Sequence, residues 1–146
     1  MSAYTNQLAV QGEIRLADLI ALTDDNRMSV VDATVLNQII ASASGYIDSR
    51  VANIYGAQLP FSPIPSSVAS MALTITCYRL LRRAEVPDEK NKFYAAWRDV
   101  KDFLDLVNKG EAMIDDTVSR DFPQVVFAAR RTTFGVMGSN FPSTTI

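Results

Sequence analysis

The sequence predicts a mainly α protein: a small four-helix bundle over residues 13–112, preceded by an N-terminal arm (1–12) and followed by an extended, non-helical C-terminal arm (113–146). Three observations carry this reading. Apolar residues recur at steps of three and four through several long stretches. The prolines of the first 112 residues fall between those stretches or at their first turn. Beyond Gly110 the helical spacing stops. A length of 146 residues, 48% of them hydrophobic and 21% charged, suits one domain with a single core.

Residues 1–12 hold few regularly spaced apolar positions and several small or polar ones (Ser2, Thr5, Asn6, Gln7, Gly12), so little secondary structure is expected there. From Ile14 the spacing of Leu16, Leu19 and Ile20 predicts a short helix, ended by the turn-rich Thr23-Asp24-Asp25-Asn26-Arg27. After a loop to about Val31, Asp32 is placed to cap a long helix with its carboxylate. Val35, Leu36, Ile39, Ile40, Ala43, Tyr46, Ile47, Val51, Ile54 and Tyr55 form one stripe along about six turns, and Gly56 is placed to end them. Pro60, Pro63 and Pro65 then require a stiff, extended connector.

Ser66 or Ser67 is the expected cap of the next helix, whose run from Val68 to Leu81 leaves almost no polar face. So apolar a girth is expected to be covered in part by a neighbouring subunit. Arg79, Arg82 and Arg83 stand at its C-terminal end, where positive charge is favoured. Pro87, Asp88 and Glu89 are expected to open a fourth helix, carrying Phe93, Trp97, Val100, Leu104 and Val107 to a stop at Asn108-Lys109-Gly110. The core so predicted contains Ile39, Ile47, Val51, Met71, Ile75, Tyr78, Trp97 and Leu104, with Trp97 against Ile47 and Val51.

The C-terminal arm has too many apolar residues for an inert tail and too irregular a spacing for a core of its own. Val125, Val126 and Phe127 are expected to run as a short strand or extended segment on another chain, the alternative being that the arm folds back on its own bundle. Phe134 and Phe141 are the expected anchors on that other chain, and Arg130 and Arg131 the partners of acidic groups.

Composition excludes much chemistry. Of 14 basic and 16 acidic side chains, Arg120, Arg130, Arg131 and Asp121 fall in 117–146, which leaves 11 basic and 15 acidic in the rest. An acidic body does not suit sequence-independent grip on DNA, which needs clustered Lys and Arg to neutralise phosphates. With no histidine, the commonest general base and metal ligand is missing and His-based triads are excluded. Cys77, the only cysteine, allows no intrachain disulfide and sits in the most apolar stretch, where a thiol is usually an inert core residue.

The oxygen-rich segment from Asp24 to Asp32 has neither the sixth-position Gly nor the late bidentate Glu of a calcium loop, so a solvated turn and a helix cap are expected. Asp99, Asp102 and Asp105, interleaved with Arg98 and Lys101, read as a wet helix face. Gly135-Val136-Met137-Gly138 lacks the Lys-Ser or Lys-Thr of a phosphate loop. The N-terminus has neither the basic start nor the apolar run of a signal peptide, and the stretch at 68–81 falls short of a membrane span. No catalytic residue, metal site or cofactor is therefore expected, and the chain is not expected to be an enzyme.

The order of features is distinctive. A short helix ends in LTDD; a long capped helix reads ASASGYIDSRVANIYGAQLPF; PIPSSV leads into a helix with CYRLLR; and a last helix contains FYAAWRDVKDFLDLVNKGE. Within these, Ile47-Asp48, Tyr55, Leu59-Pro60, Pro65, Tyr78-Arg79-Leu80 and Lys109-Gly110 are the most specific pieces. Over residues 13–115 the chain resembles the Mu-like phage family of small head-tail joining proteins.

That resemblance implies a structural adaptor of the virion neck, assembled in the host cytoplasm as a homo-oligomeric ring, commonly a dodecamer. It implies contacts with the portal protein and the next neck or tail protein, with DNA passing through the lumen without specific binding, and no membrane. An alternative is a small helical regulatory or DNA-binding protein that uses its Arg residues, clustered at Arg79, Arg82 and Arg83 and at Arg130 and Arg131, on nucleic acid.

Overall fold

A computed structural model describes residues 3–114. Among them are five α-helices, α1 (Gln7–Glu13), α2 (Leu16–Thr23), α3 (Ala33–Tyr55), α4 (Ser66–Arg83) and α5 (Tyr94–Asn108), and a 3-10 turn at Gly56–Gln58. No strand is present among the described residues. The chain is mainly helical, as its periodicity requires. The expected short strand at 125–127 lies outside the described residues.

Helices α3, α4 and α5 pack on one another, while α1 and α2 lie against α4, with α2 also touching α3. Two apolar clusters result. One joins Ala43, Ile47, Val51, Ile54 and Tyr55 of α3 to Val68, Met71, Ala72 and Ile75 of α4 and Leu104 and Val107 of α5. The other joins Val10, Ile14 and Leu19 to Leu36 and Ile40 of α3 and Cys77 and Leu80 of α4. Each fully buried Leu, Ile or Val among these contributes about 1.5–3 kcal/mol relative to an exposed one.

Helix starts and stops follow local chemistry. Asp32 caps α3, its Oδ1 accepting from the N–H groups of Thr34 at 2.9 Å and Val35 at 3.2 Å. At the end of α5, Gly110 takes φ 80°, which favours glycine; its N–H reaches the Val107 carbonyl at 3.0 Å and Glu111 N–H reaches Leu106 at 2.9 Å. That paired geometry satisfies two carbonyls the helix leaves open.

Several expectations are corrected. The N-terminal segment is not bare of structure: Asn6 accepts from Ala9 N–H and starts α1, which buries Val10, and Tyr4 is itself buried. So short a helix is marginal alone and forms because it packs on α4. The same packing supplies, within the chain, part of the cover for α4 that was expected from a neighbour.

Gly56 does not end α3 in a left-handed cap. Its φ is −52°, and the chain tightens into the 3-10 turn before the proline connector, where Leu59–Pro60 and Ser62–Pro63 are cis. Neither serine caps α4: Pro65 holds the cap position, and Ser67 Oγ donates to the Ile114 carbonyl at 3.2 Å.

The last helix starts at Tyr94, not at Pro87. Residues 87–92 form turns instead because Asn91 is buried and used twice. Its Nδ2 donates to the Tyr78 carbonyl at 3.3 Å, and its Oδ1 accepts from Phe93 N–H at 3.0 Å. Such side-chain bonds to nearby backbone compete with helix formation. Asp88, expected near the dipole of a helix start, accepts the Tyr78 hydroxyl at 3.0 Å.

Candidate assembly surface

The loop between α2 and α3 is built, not slack. Asp24 Oδ1 accepts from Met28 N–H at 2.9 Å and Oδ2 from Ser29 N–H at 2.6 Å. These bonds, Met28 first, hold its carboxyl below the usual carboxylate range. They also anchor two non-glycine residues in the left-handed region, Arg27 at φ 56° and Ser29 at φ 58°.

The loop's far end is fixed by Thr23 Oγ1, which accepts from Asp32 N–H at 3.2 Å and donates to the Leu19 carbonyl at 2.9 Å. Arg83 at the end of α4 ties it down further, pairing with Asp25 and donating to the Leu22 carbonyl. What the frame holds out is apolar: Met28 is 70% and Val30 57% exposed. They are two of the exposed large apolar side chains among the described residues, with Leu8 at 78% and Leu16 at 54%. Each acidic residue of this segment therefore has a role in the frame: Asp24 in the loop, Asp25 with Arg83, Asp32 at the helix cap.

Each arginine of the basic cluster on α4 bonds a group of the same chain while Arg82 and Arg83 stay exposed. Arg79 donates to Ser42 Oγ and lies 5.5 Å from the Tyr46 ring centre, Arg82 donates to the Tyr78 hydroxyl at 3.2 Å, and Arg83 is taken as described. Arg50 on α3 faces Asp105 on α5 at 3.2 Å, which removes one acid from the predicted wet row. Cys77 is fully buried, and burial, with the Glu13 charge adding, pushes its thiol up to about 12. A thiol so held is not a nucleophile near neutrality.

A groove of about 310 Å³ runs between α4 and α5, lined by Ser67, Ser70, Met71, Asp99, Val100 and Phe103. Met71, Val100 and Phe103 give it an apolar floor and Asp99 a charged rim. No group of three or more His, Cys, Asp or Glu stands close enough to hold a metal among the described residues, and no described helix is long and apolar enough to cross a membrane.

A family model described as Bacteriophage Mu, Gp36 matches residues 4–124. The chain belongs to the bacteriophage Mu Gp36 family. The phage Mu kinship read from the helix motifs is thus shown, and the Gp36 match extends to both sides of those motifs. It takes in Tyr4 and α1 at one end and runs past Ile114, the last described residue, at the other. No curated protein matches the chain.

In this Gp36 chain the residues singled out by sequence fall into three groups. Ile47, Val51, Met71, Ile75, Tyr78 and Leu104 are buried. Ile39 and Trp97 are half-buried. The Trp97 ring stacks on Tyr78 of α4, centre to centre 4.4 Å and 12° from parallel, at the edge of the cluster that holds Ile47 and Val51. The arm residues Val125, Val126, Phe127, Arg130, Arg131, Phe134 and Phe141 lie outside the described residues.

Sequence reasoning passed over Met28, Val30 and Asn91. The first two carried a legible signal: two large apolar residues inside an otherwise polar turn. Asn91 carried none, because its role depends on the carbonyl of a residue on another helix.

Proposed function

We propose that the chain is a structural subunit of the head-to-tail connector of a tailed phage. It assembles as a homo-oligomeric ring, commonly a dodecamer, below the portal in the virion neck, and continues the DNA channel to the tail without catalysis. Membership of the Gp36 family is the observation that carries this reading. The motif order supports it, and so does a one-domain helical body whose ordered loop offers Met28 and Val30 to a neighbour. The portal and the next neck or tail protein are the partners proposed for the arm, residues 113–146.

DNA is proposed to pass the body without specific binding. The body is acidic, and Arg79, Arg82 and Arg83 are each held by groups of the same chain rather than clustered for phosphates.

A phage carrying a stop codon early in this gene tests the proposal. Under non-suppressing conditions it should accumulate DNA-filled heads and separate, normal-length tails that do not join. Normally tailed virions would overturn the connector role.

A further inference from the structure

Ile114, where the described chain ends, is not loose. It is buried, its N–H donates to the Tyr55 hydroxyl at 3.2 Å, and its carbonyl accepts Ser67 Oγ at 3.2 Å. Ser67 is also a wall of the groove between α4 and α5, so the chain leaves the body at the groove's mouth. The groove's floor is Met71, Val100 and Phe103, and the Asp99 carboxylate on its rim makes no ion pair among the described residues.

The residues that follow read Asp115-Asp116-Thr117-Val118-Ser119-Arg120-Asp121-Phe122-Pro123-Gln124. Two apolar side chains four apart, Val118 and Phe122, flank Arg120, the one cation beside three carboxylates. The Gp36 family unit also extends to residue 124, ten residues beyond Ile114, before the sequence that was read as an arm.

We infer that residues 115–124 fill the groove between α4 and α5 of their own chain, with Val118 or Phe122 on the apolar floor and Arg120 at Asp99. The free arm then begins near residue 125, not 113. Reach favours this occupant. Ser67 and Met71 are one helical turn apart, about 6 Å along α4, whereas four extended residues span about 13–14 Å. A segment tethered that closely has an effective concentration in the millimolar range, above what a second copy in dilute solution supplies. The inference concerns the body's own closure and stands apart from the connector reading.

Cysteine cross-linking in the full-length chain tests it. Ser70, on the groove's wall, is exposed, so Ser70→Cys leaves the core intact, and buried Cys77 stays out of reach. Paired with Val118→Cys, mild oxidation should give a disulfide within one chain, seen as a faster-migrating monomer under non-reducing conditions. It should form at least about a hundredfold faster than in Ser70→Cys paired with Ser139→Cys, where the longer tether from Ile114 accounts for only about fifteenfold. Disulfide-linked dimers as the main product would mean a second copy fills the groove. Cross-linking no more than about fifteenfold faster than in the Ser139→Cys pair, as tether length alone gives, would mean the segment does not lie there. Either result overturns the inference.

Discussion

The Tyr4 hydroxyl donates to Asp48 Oδ1 at 2.5 Å while accepting the Phe61 N–H at 3.1 Å, so one side chain ties the N-terminal segment to α3 and to the proline connector. Tyr4 N–H adds a bond to Ser44 Oγ at 3.0 Å, and its ring tilts against Phe61. Tyr4→Phe keeps the ring and leaves a half-buried carboxylate and a buried N–H each short of a partner. It should cost about 1–3 kcal/mol in urea unfolding at pH 7.

The same hydroxyl gives an alkaline signature. Burial first, and then the hydrogen bond to Asp48, push the Tyr4 phenol from 10.0 up to about 12. Unfolded chains release this proton near pH 10, so between pH 10 and 12 the folded state binds more protons and stability falls. Below pH 10 the contribution is whole. The Cys77 thiol, raised from 9.0 to about 12, adds a loss that starts earlier. Unfolding midpoints of Tyr4→Phe should therefore decline less steeply from pH 10 to 12 than those of the unsubstituted chain. An equal decline would place the Tyr4 phenol in water.

Two glycines should respond in opposite directions. Gly56 has helical φ, and an added Cβ meets nothing within 4 Å, so Gly56→Ala should stabilise the chain by about 0.4–1 kcal/mol. Gly110 sits at φ 80°, and Gly110→Ala should destabilise by about 1 kcal/mol. Thermal melts of the two variants read both signs. A destabilised Gly56→Ala would return Gly56 to the left-handed cap that the sequence suggests.

Trp97 is stacked but only half-buried, so Trp97→Ala should cost about 2 kcal/mol, below the roughly 3–5 kcal/mol of a fully buried aromatic. Tyr78→Leu should remove most of the stacking part, about 0.5–1.5 kcal/mol, and the double variant should be less than additive. Additive losses would mean the two rings contribute separately.

Much of the fold was legible because local chemistry and packing agree. The stripe from Leu36 to Tyr55, the Asp32 cap and the Gly110 stop each state their role within a few residues. The misreadings share a cause: non-local partners. Val10 is one buried residue in a seven-residue helix, too little periodicity to register, and the Asn6 cap and packing on α4 make it a helix. Pro87-Asp88-Glu89 has the composition of a helix start, but Tyr78 engages Asp88 and Asn91 from another element. The candidate surface is half legible: the Asp24 segment reads as a turn, yet what it displays depends on the bonds that fold it.

Met28→Ser together with Val30→Ser alters only exposed side chains, so the melting temperature should stay within about 0.5 kcal/mol equivalent of the parent. Self-association should weaken at least tenfold, read by sedimentation. Unchanged association would assign the ring contact to another face.

Native mass spectrometry of the full-length chain, alone and mixed with the portal protein, tests the connector role most directly. A closed multiple of the 16.1 kDa chain should appear, dominated by one copy number once the portal is present. A strict monomer under both conditions, at concentrations up to those of assembly, would contradict it.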